Sequence, residues 1–442
     1  MSRWPVVVLL GALLAGAYLM PAPDPEPEPL DGVIIDRPGL ESPVDASIWY
    51  CPWAQASAER DSVFAVASMS PAASGFTFPV AIPGEDPDTA RLEMLGPGAA
   101  SPTLSDIAQR GDSPAYIEFD EGPSAVTVTV TGDVLTADAC VAEGPDEWFF
   151  VGGSTRTGEN LRLRLFNPFP EVAKVTISAF SEIGVEALGQ LRSVSVNPRS
   201  WRDVDFEELL RQRETLAISV RSDDGLVVPA MAFHNEADQA WWSGTGLATE
   251  WEFPVVRQLG LDDAAIVVAN PGLADVEVVV DIFTRTGPQR AAFTVTVGSE
   301  SPARIGLESI PEAVIGARIT ASSPVAAAVV TTGEAGTAVT SGVPLARSWL
   351  LPGLRSTGAD TGFLWLLNAG DEAVTVTIGI LTGVETINTK EVLEPGTIRR
   401  IKVEDVDALG YVVFAADPFS AAWSLTGPSG TAFSAGIPVP EE

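Results

Sequence analysis

An internal repeat constrains this sequence more than any other feature. The stretch Trp148-Phe149-Phe150-Val151-Gly152-Gly153 is followed by alternating Leu161, Leu163 and Leu165 and then by the corner Asn167-Pro168. Trp251-Glu252-Phe253-Pro254 leads in the same way to Asn270-Pro271, and Trp349-Leu350-Leu351-Pro352-Gly353 leads to Asn368-Ala369. In all three copies the Asn lies 19 residues after the Trp. A fainter copy opens at Trp49-Tyr50-Cys51-Pro52, with Ser70-Pro71 reached 21 residues later. Successive Trp positions are 99, 103 and 98 residues apart, and 93 residues follow the last. Such a period means that one structural unit is used several times over.

Within a period, apolar and polar residues alternate. Leu161, Leu163 and Leu165 alternate with Arg162 and Arg164, and Val175, Ile177 and Ala179 alternate with Lys174, Thr176 and Ser178. A period of two is that of a strand with one buried face. The Asn-Pro corners end strands, because proline cannot donate into a ladder and biases its predecessor away from helix. Residues 205–212 read as a short acidic, helical connection, and residues 315–321 and 325–331 read as a closing pair of strands. The copies also end alike, at Ser243-Gly244, Ser341-Gly342 and Ala435-Gly436. Short strands with turn signals about every 8–12 residues predict antiparallel sandwiches. The expected fold is all-β: four tandem antiparallel Ig-like β-sandwich units after one N-terminal transmembrane helix. The units run over 48–146, 147–249, 250–347 and 348–442. A closed, propeller-like ring of the four is the second arrangement that the spacing fits.

Residues 1–20 carry the targeting signal. Arg3 precedes an uncharged run from Trp4 to Met20, and as a helix these 17 residues would span about 25 Å, enough for a bilayer core. Ala15-Gly16-Ala17 offers a small-residue cleavage site, so a cleaved signal peptide is the alternative to a single-pass anchor. Residues 21–47 form a linker, opening with Pro21, Pro23, Pro25, Pro27 and Pro29 alternating with Ala22, Asp24, Glu26 and Glu28. Such a run is extended and holds the folded body off the membrane. Positive charge stays inside, so the body is expected outside the cell membrane.

The chain has 59 acidic against 26 basic residues, a net charge of −33. That charge repels nucleic acid and anionic lipid, and neither is expected as a partner. The two cysteines, Cys51 and Cys140, both fall in the first unit, and outside the cell they should pair. Closing a loop of that length could contribute about 4–5 kcal/mol on the chain-entropy account.

The motif Trp148-Phe149-Phe150-x-Gly152-Gly153-Ser154, with Asn167-Pro168 after it, resembles a repeat of exported actinobacterial proteins whose opening reads Trp-Tyr-Phe-x-x-Gly. The Trp49-Tyr50-Cys51-Pro52 start behind a membrane anchor is similar to that of an uncharacterised actinobacterial family of membrane-anchored exported proteins. The resemblance covers residues 49–442 as a pattern. Units three and four depart from it at Pro254 and Ala369. It implies a fold and an extracytoplasmic location, and no catalytic residues.

No reaction is legible. The one histidine, His234, stands at a strand end beside Asn235 and Glu236, where a surface turn is expected, and no Gly-x-Ser-x-Gly elbow accompanies it. No phosphate loop is present, and one histidine with two cysteines makes no zinc set. Asp223-Asp224-Gly225 and Asp262-Asp263 read as turns. No metal, cofactor or catalytic residue is expected. The expected structural residues are Trp49, Trp148, Trp251 and Trp349 as packing anchors between units, with Asn167, Asn270 and Asn368 as the corners. Trp241 and Trp242 are the candidate glycan contacts; in a strand their rings point to opposite faces, so one is expected in the core. The function expected is a non-enzymatic, membrane-tethered scaffold or adhesive protein of the bacterial envelope. Its partner would be envelope glycan or another exported protein. The alternative is an accessory glycan-binding subunit in polysaccharide assembly or export.

Overall fold

The computed structural model describes residues 48–439, apart from 71, 80–85, 95–97, 109–110, 121, 236–237, 355–358, 360, 383–385 and 404–407. The expected anchor and linker, residues 1–47, lie outside the described residues. Among the described residues the protein is all-β, built of antiparallel sheets apart from one parallel bridge between Thr284 and Thr397. The α-helical turns among these residues are Leu104–Ile107 and Phe206–Leu209. The second falls inside the connection expected over 205–212, capped by the Asp205 carboxylate accepting from the Glu207 N–H. No helix among the described residues is long and apolar enough to cross a membrane.

One strand order recurs in every repeat segment. In the second, one sheet runs Glu147–Val151, Leu216–Asp224, Ala173–Ser181, with Gly184–Glu186 and Arg192–Val196 on the last strand's far edge. The other runs Ser200–Asp205, Asn160–Asn167, Val228–His234, Gln239–Ser243. The first segment repeats this with Ile48–Cys51, Ala115–Phe119, Ala72–Phe78, Asp88–Met94 and with Gly98–Ala100, Arg60–Ser68, Ser124–Gly132, Thr136–Ala139. In the third and fourth segments a single long strand, Ile315–Gly333 or Gly410–Gly427, serves both sheets. The closing pair expected over 315–321 and 325–331 is therefore one bent strand. It changes sheets at Pro324, and its counterpart does so at Pro418. Both prolines are exposed and unpaired, so the missing N–H costs no ladder bond.

The repeat motif is a statement about register. Trp49, Trp148, Trp251 and Trp349 each face an apolar residue of the same neighbouring strand: Ile117, Val220, Ile319 and Val413. Three of the indole N–H groups are spent where the chain crosses between sheets: Trp49 donates to the Ser124 hydroxyl (3.0 Å), Trp251 to the Val325 carbonyl (2.9 Å) and Trp349 to the Phe419 carbonyl (3.2 Å). The asparagines make one network three times. Asn270 donates from Nδ2 to the carbonyls of Ala274, Val297 and Gly298, and its Oδ1 accepts from the Gly272 N–H. Asn368 does the same with Glu372, Leu393, Glu394 and Gly370, and Asn167 with Glu171, Val196 and Phe169. The corner is made by the amide, which is why Ala369 replaces proline without changing it.

Register also corrects the first segment. Asn167, Asn270 and Asn368 pair with Ser200, Ser301 and Thr397, each the first residue of the neighbouring strand; in the first segment it is Ser68 that pairs with Gly98. Ser68, not Ser70, is the equivalent, and it lies 19 residues after Trp49 as in the other copies. Its hydroxyl donates to the Ser70 carbonyl (2.9 Å) and accepts from the Ser70 N–H (3.2 Å).

The segments close on themselves. The last strands of the four, Thr136–Ala139, Gln239–Ser243, Gly336–Ser341 and Gly430–Ala435, pack in a cycle, first against second, second against third, third against fourth and fourth against first. This is the ring that the spacing admitted second to a tandem array. The seams are apolar: Val267, Ala269, Ala326 and Ala328 join the core of the second segment, and Leu135 and Ala137 of the first join that of the fourth. A polar clamp also spans the first two segments. Arg164 is 2% exposed, and its guanidinium holds Asp203 through two bonds of 2.8 Å and Asp112 at 2.9 Å. Cys51 and Cys140 are joined, tying the opening strand of the first segment to the residue after its last strand.

Candidate functional site: an axial cavity

The matching ends of the repeats meet at one place. Gly244, Gly342 and Gly436 follow the last strands of their segments, and each lies under an aromatic ring of its own opening strand. A Cβ on Gly244 would stand 2.8 Å from the Phe150 ring, on Gly342 2.8 Å from Trp251, and on Gly436 2.9 Å from the Trp349 ring. Side chains there would push the opening strands off the last strands. The glycines therefore let an aromatic ring of each opening strand pack directly on the strand end.

These strand ends border a cavity of about 340 Å³, with lining from all four segments. Trp49, Trp148 and Trp251 contribute, with Leu350 beside Trp349 in the fourth segment. Ala139-Cys140, Ser243-Gly244, Ser341-Gly342 and Ala435-Gly436 contribute the strand ends, and Pro123, Pro145, Pro344 and Pro438 much of the rest. The volume falls in the range of small-ligand sites. Among the described residues no basic residue lines it, and Asp138 and the exposed Glu143 are its ionisable groups. Its serine and threonine hydroxyls are largely committed. Ser243 Oγ donates to the Ala139 carbonyl (3.1 Å), Ser341 Oγ to the Ser243 carbonyl (3.0 Å), and Ser124 Oγ accepts from Trp49.

Asp138 is buried, and its carboxylate accepts from the N–H groups of Ala139 (2.8 Å) and Ser243 (2.5 Å), the second across the seam between segments one and two. Burial pushes its carboxyl up to about 7, against the pull of those N–H donors. A second axial acid, Asp238, receives the N–H groups of Gln239 (2.8 Å) and Thr337 (2.6 Å), and burial raises it to about 6. Alternation carries no mark of Asp138, since its strand is buried on both faces. The repeated Ser-Gly and Ala-Gly endings were the available signal.

Trp241 and Trp242 do not present rings to a sugar. They are 4% and 0% exposed. The Arg164 guanidinium stands 5.5 Å from the Trp241 ring centroid, and Trp242 lies in the core of the second segment. The glycan-contact expectation is corrected accordingly: both faces of Gln239–Ser243 are covered, one by its own sandwich and one by the seam. His234 is likewise not a surface turn residue. It is half-buried beside Arg60 and Arg162, and burial, with those two charges, lowers its pKa to about 4. It is neutral at pH 7, because the opposing pull of Asp205 is the smallest of these effects. Asp223 accepts from the Thr176 hydroxyl and Asp263 pairs with Arg304 at 2.7 Å. Among the described residues no three His, Cys, Asp or Glu groups stand together as a metal site.

Together these features define an all-β repeat protein with its segments closed around an axial cavity. The chain belongs to a family of unknown function, DUF5719, whose profile matches residues 110–392, more than half of its length. No curated protein matches it. Among solved structures, a Streptomyces avermitilis α-L-rhamnosidase complexed with L-rhamnose is similar at 8% identity and a TM-score of 0.12. The alignment takes in 80% of this chain and 54% of the enzyme, so this chain spans about half of the enzyme's length. A likeness that slight carries no argument about fold or activity.

Proposed function

We propose that this protein is a non-enzymatic scaffold of the bacterial cell envelope, tethered by residues 1–20 and displayed outside the membrane on the 21–47 stalk. In this reading it is four Ig-like sandwich units, 48–146, 147–249, 250–347 and 348–442, of the exported actinobacterial type, and its partner is another exported protein. The observation that carries the reading is the use to which the repeated residues are put. Trp49, Trp251 and Trp349 bond the crossover of their own segment, and Asn167, Asn270 and Asn368 pin their own corners. Residues repeated for packing build a platform and not a reaction centre. The disulfide supports an oxidising location.

The test is cross-linking in intact cells of the source bacterium with the full chain, followed by identification of what is bound. Recovery of one exported protein from the extracytoplasmic side supports the scaffold. Recovery of wall polysaccharide alone replaces it with the glycan-binding alternative, and a protein labelled only from the cytoplasmic side refutes the topology.

A further inference from the structure

The axial cavity combines two features that together suit a cation. The first is a buried acid. Asp138 accepts two backbone N–H groups, and among the described residues no Arg, Lys or His belongs to the lining. A buried carboxylate is ordinarily paired with a cation, because leaving it alone in an apolar setting is costly. Arg164 and Glu252, buried at or near the seams, are paired, whereas Asp238, like Asp138, rests on main-chain N–H groups. The second feature is the aromatic lining. Trp49, Trp148 and Trp251 converge on the same cavity from three segments, and indole faces attract cations, including fully substituted ammonium groups.

We propose that the axial cavity binds a small organic ammonium compound, with its cationic head held by Asp138 and the indoles and its apolar remainder against the proline and alanine wall. An anionic ligand is disfavoured by two acids and no base, and a sugar by hydroxyls already committed to main-chain partners. Glu143 in the lining also opposes the phosphate that accompanies the ammonium of a choline lipid, so the source is a free compound. The net charge of −33 favours its arrival. This inference does not depend on the scaffold reading.

The experiment titrates the full chain in detergent with choline and with its uncharged carbon isostere, dimethylbutanol, by calorimetry and saturation-transfer NMR at pH 8. Choline is expected to bind saturably, at least about tenfold tighter than the isostere. Asp138→Asn should remove that preference. Because this change also touches the seam with Ser243, Ala142→Trp is the second variant. It fills the cavity from a half-buried wall position and should abolish binding while leaving the thermal transition in place. Equal binding of choline and isostere overturns the proposal, as does choline affinity unchanged in both variants or the absence of any binding. Tight association with phosphatidylcholine vesicles but not with choline would overturn the free-compound form.

Discussion

The first and third repeat segments share a register and differ in their fasteners. In the third, Asn270 is 1% exposed and ties three carbonyls and one N–H across a corner. In the first, the Ser68 hydroxyl bonds to Ser70 alone among the described residues. There the tie is covalent, between Cys51 and Cys140 at a Cα separation of 4.8 Å. One fold position can thus be held by a buried amide network or made less important by a cross-link elsewhere. The cross-linked segment is also the one whose last strand must meet the fourth segment to close the ring.

Asn270→Ala is the most direct way to break this comparison. It removes a bond to the buried Val297 carbonyl, two to the more exposed Ala274 and Gly298 carbonyls and one accepted N–H, and should cost about 3–5 kcal/mol in chemical denaturation. A loss under about 1 kcal/mol would mean that the corner is held by packing alone. Next comes the pair Cys51→Ser and Cys140→Ser, expected to cost about 2–5 kcal/mol. An unchanged transition in the double variant would show that the first segment does not depend on its cross-link. Ser68→Ala should cost about 1 kcal/mol, since one local turn is lost. If it matches Asn270→Ala, the two corners are not differently fastened after all.

The smallest effect expected is on pH dependence. The Asp138 carboxyl is raised from 3.8 to about 7 in the folded protein, so the folded state binds this proton more tightly than the unfolded chain. Its contribution to stability is full below about pH 4 and is lost as pH rises towards 7. Asp238, raised to about 6, acts in the same direction over a narrower window. Asp138→Asn should flatten the fall in melting temperature between pH 4 and 7 by about 2–4 °C. An identical slope in the variant would place the titration elsewhere.

Much of the fold was legible residue by residue. Leu161, Leu163 and Leu165 are 1%, 0% and 0% exposed, as their alternation requires. Arg164, on the opposite face of the same strand, was not legible as a core residue. Alternation reports that one face is buried and says nothing of what a second unit lays over the other. Gln239–Ser243 fails as an alternating strand for the same reason, with both of its faces covered. Trp241 and Trp242 then resemble exposed sugar platforms when they are seam and core.

Everything that the chain determined by itself is local or periodic. The repeat, the strand class, the corner asparagines and a pair of cysteines in one unit are all set by spacing and by the chemistry of single residues. The closure of the ring, the clamp at Arg164 and the isolation of Asp138 in an aromatic-lined cavity belong to the tertiary structure. Asp112 meets Arg164 52 positions along the chain, Asp138 meets Ser243 across 105, and Ser429 meets Gly132 across 297. Contacts at such separations depend on how whole segments pack, and no pattern within one segment encodes which neighbour it will receive.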